Sequence, residues 1–391
     1  MTETATPPAA MDDGERACWV AFNRTPGIAG KRIRLLLGRF GSLAGAWKAP
    51  AKELALAGLD ARTIGRLEAV RSRLEPEREL ERVRRAGAWV LTWRDAEYPQ
   101  RLAAIPDPPP VLYVRGRLSD ADAWALAIVG TRRPTLYGRG VAERLAAELA
   151  GAGVTIVSGL AKGIDSHAHR GALAGGGRTL AVLGNGIDLC YPPENRRLAA
   201  EIAEHGALVT EYGLGVGPAG ENFPPRNRII SGLAAGVLVV EAGETSGALI
   251  TCRFAAEQGR DVFAVPGPIT SPASRGCHRL IQDGAALVTS ADDVLQELNP
   301  HIGLVSARQL RLDLADEGAW SEASTGPWPD PVPGADGTLL QYLREAGQPV
   351  HIDDLARACG RPVQEVSAML VLLEIQGQVR HAGGMRYTAT G

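Results

Sequence analysis

Residues 126–135 read Leu-Ala-Ile-Val-Gly-Thr-Arg-Arg-Pro-Thr, and residues 154–165 read Val-Thr-Ile-Val-Ser-Gly-Leu-Ala-Lys-Gly-Ile-Asp. Each starts as an unbroken apolar run and then breaks at a glycine into small and cationic residues. A strand that is apolar at every position, rather than at alternate ones, is buried on both faces. The first two runs, Leu126–Val129 and Val154–Val157, are followed by others at Thr179–Leu183, Leu208–Thr210, Val237–Val240, Val262–Val265 and Ala286–Val288. Helix-length segments such as Val141–Ala150, Arg196–Glu204 and Ala248–Gln258 lie between them. This alternation predicts a parallel sheet with helices on both faces.

Working outward, residues 76–300 are read as one α/β domain with an extended Rossmann-like parallel sheet. Residues 14–75 are read as a small helical domain of helix-hairpin-helix or SAM-like type. There a Gly-bracketed turn, Thr25-Pro26-Gly27-Ile28-Ala29-Gly30, leads into a basic amphipathic helix from Lys31 to Phe40, and a second turn at Ala57-Gly58-Leu59 precedes another helix ending near Leu74. Glycine lets backbone N–H groups approach phosphates without a Cβ in the way; a helical bundle with a solvated basic face fits the same residues. Residues 301–333 hold Gly326-Pro327-Trp328-Pro329-Asp330-Pro331-Val332-Pro333, a stiff linker. Residues 334–391 offer helices near Thr338–Glu345, Ile352–Ala358 and Val363–Gln376, then a hairpin over 377–387, which together make a winged-helix pattern.

Charge is uneven along the chain. Residues 14–75 carry 12 Lys and Arg against 5 Asp and Glu, a surplus of +7, whereas residues 76–300 carry 23 against 25 and residues 334–391 carry 5 against 6. The front of the chain is thus the part suited to a polyanion. The helix at 363–376 has Glu365 and Glu374 and no Lys or Arg, which favours protein contact over DNA reading for the winged helix. No run of about 18 apolar residues occurs, so no membrane span is expected. The first 13 residues are polar and acidic, unlike a signal peptide, and a cytoplasmic location is expected. Cys18, Cys190, Cys252, Cys277 and Cys359 show no C-x-x-C spacing, which argues against disulfides and structural zinc.

In an open parallel sheet, ligands gather beyond the carboxyl ends of the strands. The segments that follow those ends are Gly130-Thr131-Arg132-Arg133, Ser158-Gly159-Leu160-Ala161-Lys162, Gly184-Asn185-Gly186, Phe223-Pro224-Pro225-Arg226-Asn227-Arg228 and Glu241-Ala242-Gly243-Glu244-Thr245-Ser246-Gly247. Small residues expose backbone N–H groups, and Arg132, Arg133, Lys162, Arg226 and Arg228 add cationic donors. Donors spread over several loops suit an extended phosphodiester better than one phosphate. There is no G-x-G-x-x-G turn followed by an acid and no G-x-x-x-x-G-K-[ST] loop, so no nucleotide cofactor is expected. Asp165, His167 and His169 invite a metal or acid–base reading, but on a helix His167 points away from the other two; a helix-start Asp beside structural histidines is favoured, with no metal and no catalytic residue. Glu241 and Glu244 flank a glycine at a strand end, where capping is the ordinary role.

Taken together, the segments resemble the DNA-processing protein A family, also called DprA or Smf. The resemblance rests on Ile128–Arg132, Val157–Asp165, Ala168-His169, Gly184–Asp188, Tyr191-Pro192, Phe223–Gly232, Glu241-Ala242, Ser246-Gly247 with Thr251, and Val265-Pro266-Gly267, with Tyr98-Pro99 and Pro109–Tyr113 upstream. It implies a protein, not an enzyme, that binds and protects incoming single-stranded DNA and loads the RecA recombinase in natural transformation. It also implies homodimers formed through the Rossmann-like domain and no cofactor. Carried to this chain, it implies DNA contacts from Gly130, Thr131, Arg132, Arg133, Ser158, Gly159, Lys162, Asn185, Phe223, Arg226, Asn227 and Arg228. Phe223 is either a base-stacking ring or a buried anchor. The competing class is a nucleotide-hydrolysing enzyme of the phosphoribohydrolase type, whose P-G-G-x-G-T loop is replaced here by residues 241–247.

Overall fold

The apolar runs become strands, each within one residue of the span read from sequence. The central nine-stranded sheet is built from β1 (Trp89–Thr92), β2 (Val111–Gly116), β3 (Ala125–Val129), β4 (Thr155–Ser158), β5 (Thr179–Val182), β6 (Ala207–Thr210), β7 (Gly236–Val239), β8 (Asp261–Ala264) and β9 (Ala286–Leu287). The computed structural model describes residues 11–298, 335–346, 350–359, 366, 369–370, 373, 378–381 and 386–389. The linker at 301–333, most of the helix read at 363–376 and the tip of the hairpin at 377–387 lie outside the described residues. The chain divides into two compact units, Met1–Leu314 and Ala315–Gly391.

Strand order is β1-β2-β6-β5-β4-β3-β7-β8-β9. From β6 to β9 every neighbour pairs in parallel. The sequence reading left residues 89–116 without strands; they form β1 and β2, which add an antiparallel edge. These two are as long as the parallel strands, but no helix-length segment joins them, only the four-residue α7, so they fall outside the strand–helix alternation that marks the rest of the sheet.

Burial follows the pleat, because successive side chains point to opposite faces. In β3, Leu126 and Ile128 enter one core while Ala125, Ala127 and Val129 enter the other. The second core is closed by α7 (Gln100–Ala103), α11 (Phe223–Leu233), α12 (Ala248–Glu257) and α13 (Arg275–Gln282), which supply Leu102, Ile229, Ile230, Cys252 and Cys277. The opposite face is covered by α8 (Leu136–Gly151) and α9 (Ile164–Ala174) beneath β3, β4, β7 and β8.

Farther toward the β1 edge that face is covered by α10 (Arg196–His205) and by helices from the front of the chain: α1 (Asp13–Asn23), α2 (Gly30–Phe40), α3 (Leu43–Lys48), α4 (Ala51–Leu56), α5 (Ala61–Arg71) and α6 (Pro76–Arg85). Trp19, Phe22, Ile33 and Leu67 share one core with Val90, Tyr113, Leu183 and Leu208 of the sheet region. The boundary drawn at residue 75 falls at the start of α6. Buried Glu15 locks the bundle, accepting from the Trp19 indole at 3.0 Å and from the Leu43 and Ala44 amides at 2.8 Å each, at the head of α3. In the Gly27 turn, Arg32 folds back onto the Gly27 carbonyl and pairs with Asp60 at 2.6 Å.

In the second unit, helices Ala335–Ala346 and Ile352–Cys359 pack with β10 (Val350–His351), β11 (Val379–His381) and β12 (Arg386–Ala389). The three strands pair antiparallel in the order β10-β12-β11. No helix among the described residues is long and apolar enough to cross a membrane. All five cysteines are free thiols; burial raises Cys18 and Cys252 to about 12 and Cys277 to about 11.

Candidate functional site

The order in which strands are added reverses between the parallel neighbours β3 and β7: β4, β5 and β6 follow β3 to one side, and β8 and β9 follow β7 to the other. Loops leaving two such strands diverge and leave a crevice at their carboxyl ends. A cleft of about 720 Å³ sits there, lined by Gly130, Thr131 and Arg132 after β3, by Gly243 to Thr251 after β7, and by Phe223, Arg226 and Asn227 of α11. A small side pocket of about 60 Å³ extends it past Gly159, Lys162, Gly184, Asn185 and Tyr191.

The floor is built around two buried ionisable groups, Asp165 and Arg226, each held mainly by the backbone. Asp165, in the first turn of α9, accepts from the amides of Gly159 at 3.1 Å and Ala161 at 3.4 Å. Burial pushes its pKa up, while the nearby Arg226 pulls it down. Arg226 is only 4% exposed. Its guanidinium donates to the carbonyls of Gly159, at 2.8 Å, and Val182, and to the Asn227 side chain at 3.2 Å. Burial lowers its pKa to about 10, opposed by Asp165, so it stays cationic at neutral pH. Gly159 is required by this packing, since a Cβ there would stand 2.7 Å from the Arg226 guanidinium.

Other predicted residues also belong to the floor. The Ser158 hydroxyl is buried and donates to Ile128 O at 2.6 Å, tying β4 to β3. Asn185 is buried and donates to the carbonyls of Gly186 and Leu189 at 2.9 Å each. Asn227 reaches Gly247 O at 3.4 Å, joining α11 to the loop after β7. Gly130 allows the turn after β3 to close, because a Cβ would lie 2.8 Å from Glu241 O, which also accepts the Thr131 amide at 2.7 Å.

The rim is different. Arg132 and Arg133 are exposed and make no ion pair among the described residues. The Arg132 guanidinium stands 5.4 Å from the centre of the half-buried Phe223 ring. Tyr191, 41% exposed, lies 5.8 Å from that ring at an interplanar angle of 32°. Lys162 is exposed and bonded to exposed Glu194 at 2.6 Å.

Arg228 is a correction. Residues 223–228, expected as a loop from sequence, instead begin a helix at Phe223. Two positions along a helix is about 200° of rotation, so Arg226 and Arg228 face opposite ways. Arg228 grips Glu211 bidentately at 2.5 and 2.8 Å and donates to Asp107 O at 2.9 Å, away from the cleft. The same rotation separates the Asp-His-His segment on α9. His167 bonds Glu143 at 2.7 Å, and buried His169 bonds Thr179 at 2.6 Å. No group of three or more His, Cys, Asp or Glu among the described residues is placed to hold a metal. Glu241 is buried, and its carboxylate caps α8 through the Thr135 amide at 2.9 Å and hydroxyl at 2.6 Å.

Tyr191, Thr245, Ser246 and Thr251 lie in segments noted from sequence but outside the expected contact set, and all four line the cleft. An aromatic residue beyond the Gly-Asn-Gly turn, at the same sheet end as the other loops, was the available signal for Tyr191.

Residues 89–299 match the family described as DNA recombination-mediator protein A, and residues 323–385 match the DprA winged helix domain. Protein Smf of Synechocystis sp. is 37% identical over 96% of this chain and 99% of its own length. DNA processing protein DprA of Streptococcus pneumoniae is 48% identical over 51% of this chain and 71% of its own. Its crystal structure superposes with a TM-score of 0.64 at 36% identity, covering 73% of this chain and 98% of that one. A structure of DNA processing protein A from Helicobacter pylori, concerned with that protein's single-stranded DNA binding mode, gives a TM-score of 0.50 at 30% identity, covering 55% and 96%.

Proposed function

Because the chain belongs to the DNA recombination-mediator protein A family, we propose that it binds single-stranded DNA in the cleft at the β3–β7 switch point, protects the strand and hands it to the RecA recombinase. The observation that carries this is the rim: an unpaired, exposed Arg132 beside the Phe223–Tyr191 ring pair. Single strands are held by cations along the backbone and by aromatic faces that accept any base. The contact set proposed is Gly130, Thr131, Arg132, Arg133, Gly159, Lys162, Phe223, Arg226 and Asn227. Arg132 and Arg133 are its solvent-facing donors, and the buried members shape the floor.

The homologue whose structure concerns its single-stranded DNA binding mode supports the ligand class. RecA as partner, homodimers through the Rossmann-like domain, a role in natural transformation and a cytoplasmic location are part of the same proposal. The absence of catalysis is part of it too. The winged helix is proposed as a protein-contact module; truncation at Pro333 is expected to leave strand binding intact and to weaken recombinase recruitment.

Titration of single- and double-stranded oligonucleotides at two salt concentrations tests the main reading. Tighter single-strand binding is expected, and Arg132→Ala is expected to lower its log–log salt slope by about 0.7, one phosphate contact. An unchanged slope rejects the cleft as the strand's seat. Base release from nucleoside monophosphates, lost in Glu241→Gln, would establish the hydrolase instead.

A further inference from the structure

A second cleft in the first unit lies where α5 runs into α6. It has a volume of about 550 Å³. Its lining carries five arginines, Arg24, Arg71, Arg73, Arg78 and Arg82, against two glutamates, Glu75 and Glu79, a surplus of three positive charges. This is where part of the +7 of residues 14–75 gathers into a concave surface. Concave charge of one sign focuses field and concentrates counter-ions more than a flat basic face does.

The arginines are held in place. Glu79, 3% exposed, draws Arg82 to 2.6 Å and Arg24 to 3.5 Å, so one buried carboxylate anchors two guanidiniums to the wall. Arg71 donates to the carbonyls of Ala46 at 2.7 Å and Ala49 at 2.9 Å and stands 5.5 Å from the Trp47 ring centre. Its Nε has no hydrogen-bond partner. Arg73 is exposed and makes no ion pair among the described residues. Arg78 pairs with Glu75 at 2.8 Å, but both ends are more than half exposed, and such a pair contributes little and exchanges readily for a phosphate.

The two clefts are joined by one loop. Arg24 of the second cleft donates to Leu214 O at 2.6 Å, and Pro218 of the same loop lines the first cleft. At no more than about 3.5 Å per residue, four residues along that loop span roughly 14 Å. We propose that the arginine cleft is a second track for the phosphodiester backbone, gripping the single strand after it leaves the first cleft across this loop. The inference rests on the single-strand reading above and deepens it.

The test compares oligothymidylates of about 6 and about 30 nucleotides, one near the low end of single-site footprints of about 4–16 nucleotides and one well beyond them. The protein carries Arg73→Glu with Arg78→Glu, or Arg132→Ala. The double charge reversal is expected to weaken the long strand about tenfold and to lower its salt slope by about 1.4, two contacts, with the short strand unaffected. Arg132→Ala is expected to weaken both. An unchanged long-strand affinity and slope in the double variant, with Arg132→Ala still weakening both strands, overturns the second track and leaves the first cleft standing. No effect of Arg132→Ala on either strand overturns the first-cleft reading itself. If the reversal lowers the thermal midpoint, Arg73→Gln alone serves, with an expected slope change of about 0.7 on the long strand.

Discussion

The floor and the rim of the cleft at β3 and β7 are made from the same residue types, drawn from the same strand ends, and behave oppositely. On the floor, Arg226, Asp165, Ser158 and Asn185 have polar atoms engaged by backbone groups. On the rim, Arg132 and Arg133 face solvent without a carboxylate partner among the described residues, and Lys162 pairs with an exposed one. A cation near a ligand site is therefore a ligand group only if the fold leaves its donors unclaimed. Floor residues should govern stability and rim residues binding.

The largest expected effect is on the floor. Arg226→Ala leaves the buried carbonyls of Gly159 and Val182 and the Asn227 side chain without their donor and removes a cation near buried Asp165; buried polar groups left unsatisfied cost about 1–3 kcal/mol each. Denaturant unfolding should show that loss, and adding Asp165→Asn should recover part of it. Full stability with abolished strand binding would move Arg226 to the rim class and break the distinction.

Next comes acid sensitivity. His169 is buried behind the floor, and burial lowers its pKa from 6.5 to about 3. Thr179 donates its hydroxyl to Ile156 O and so accepts from Nδ1–H of His169, which leaves Nε2 bare and the ring neutral. Below pH 6.5 the unfolded chain takes up a proton that the folded chain refuses. This group's stabilisation is complete above that pH and is lost on acidification, at about 1.4 kcal/mol per pH unit, or about 2 kcal/mol by pH 5. His169→Gln should flatten the pH dependence of unfolding by one proton; an identical slope sinks the assignment.

On the rim, Tyr191→Ala should weaken single-strand binding by about 1 kcal/mol, at the low end for one stacked base, while unfolding changes by less than about 0.5 kcal/mol. Fluorescence anisotropy and denaturant titration on one preparation separate the two. Smallest of all, Glu194→Gln frees Lys162 from an exposed pair. Stability should hold within about 0.5 kcal/mol and strand affinity should rise slightly; a fall in affinity would show that the pair positions Lys162.

The strands of the parallel sheet were legible because burial on both faces demands unbroken apolar runs, and Leu126–Val129 can serve nothing else. The location of the site was legible too, since glycine-rich turns after such strands mark the carboxyl ends. Which side chains reach the cleft was not. Arg226 and Arg228 are two letters apart, and only their placement on α11 sends one to the floor and the other to Glu211. Tyr191 carries the family resemblance but stands outside the contacts expected from sequence, because its partner Phe223 is 32 positions later and the ring pair exists only after β5 and α11 pack.

Sequence by itself determined the parallel part of the sheet, helices that cover it and the pool of cationic and small residues at its edge, because periodicity and turn chemistry are local. Tertiary structure alone decided which cations are neutralised, which carboxylates become caps, and where the surplus charge of the first 75 residues gathers. Those outcomes depend on pairings between residues tens to hundreds of positions apart, and charge compensation is a property of distance in space.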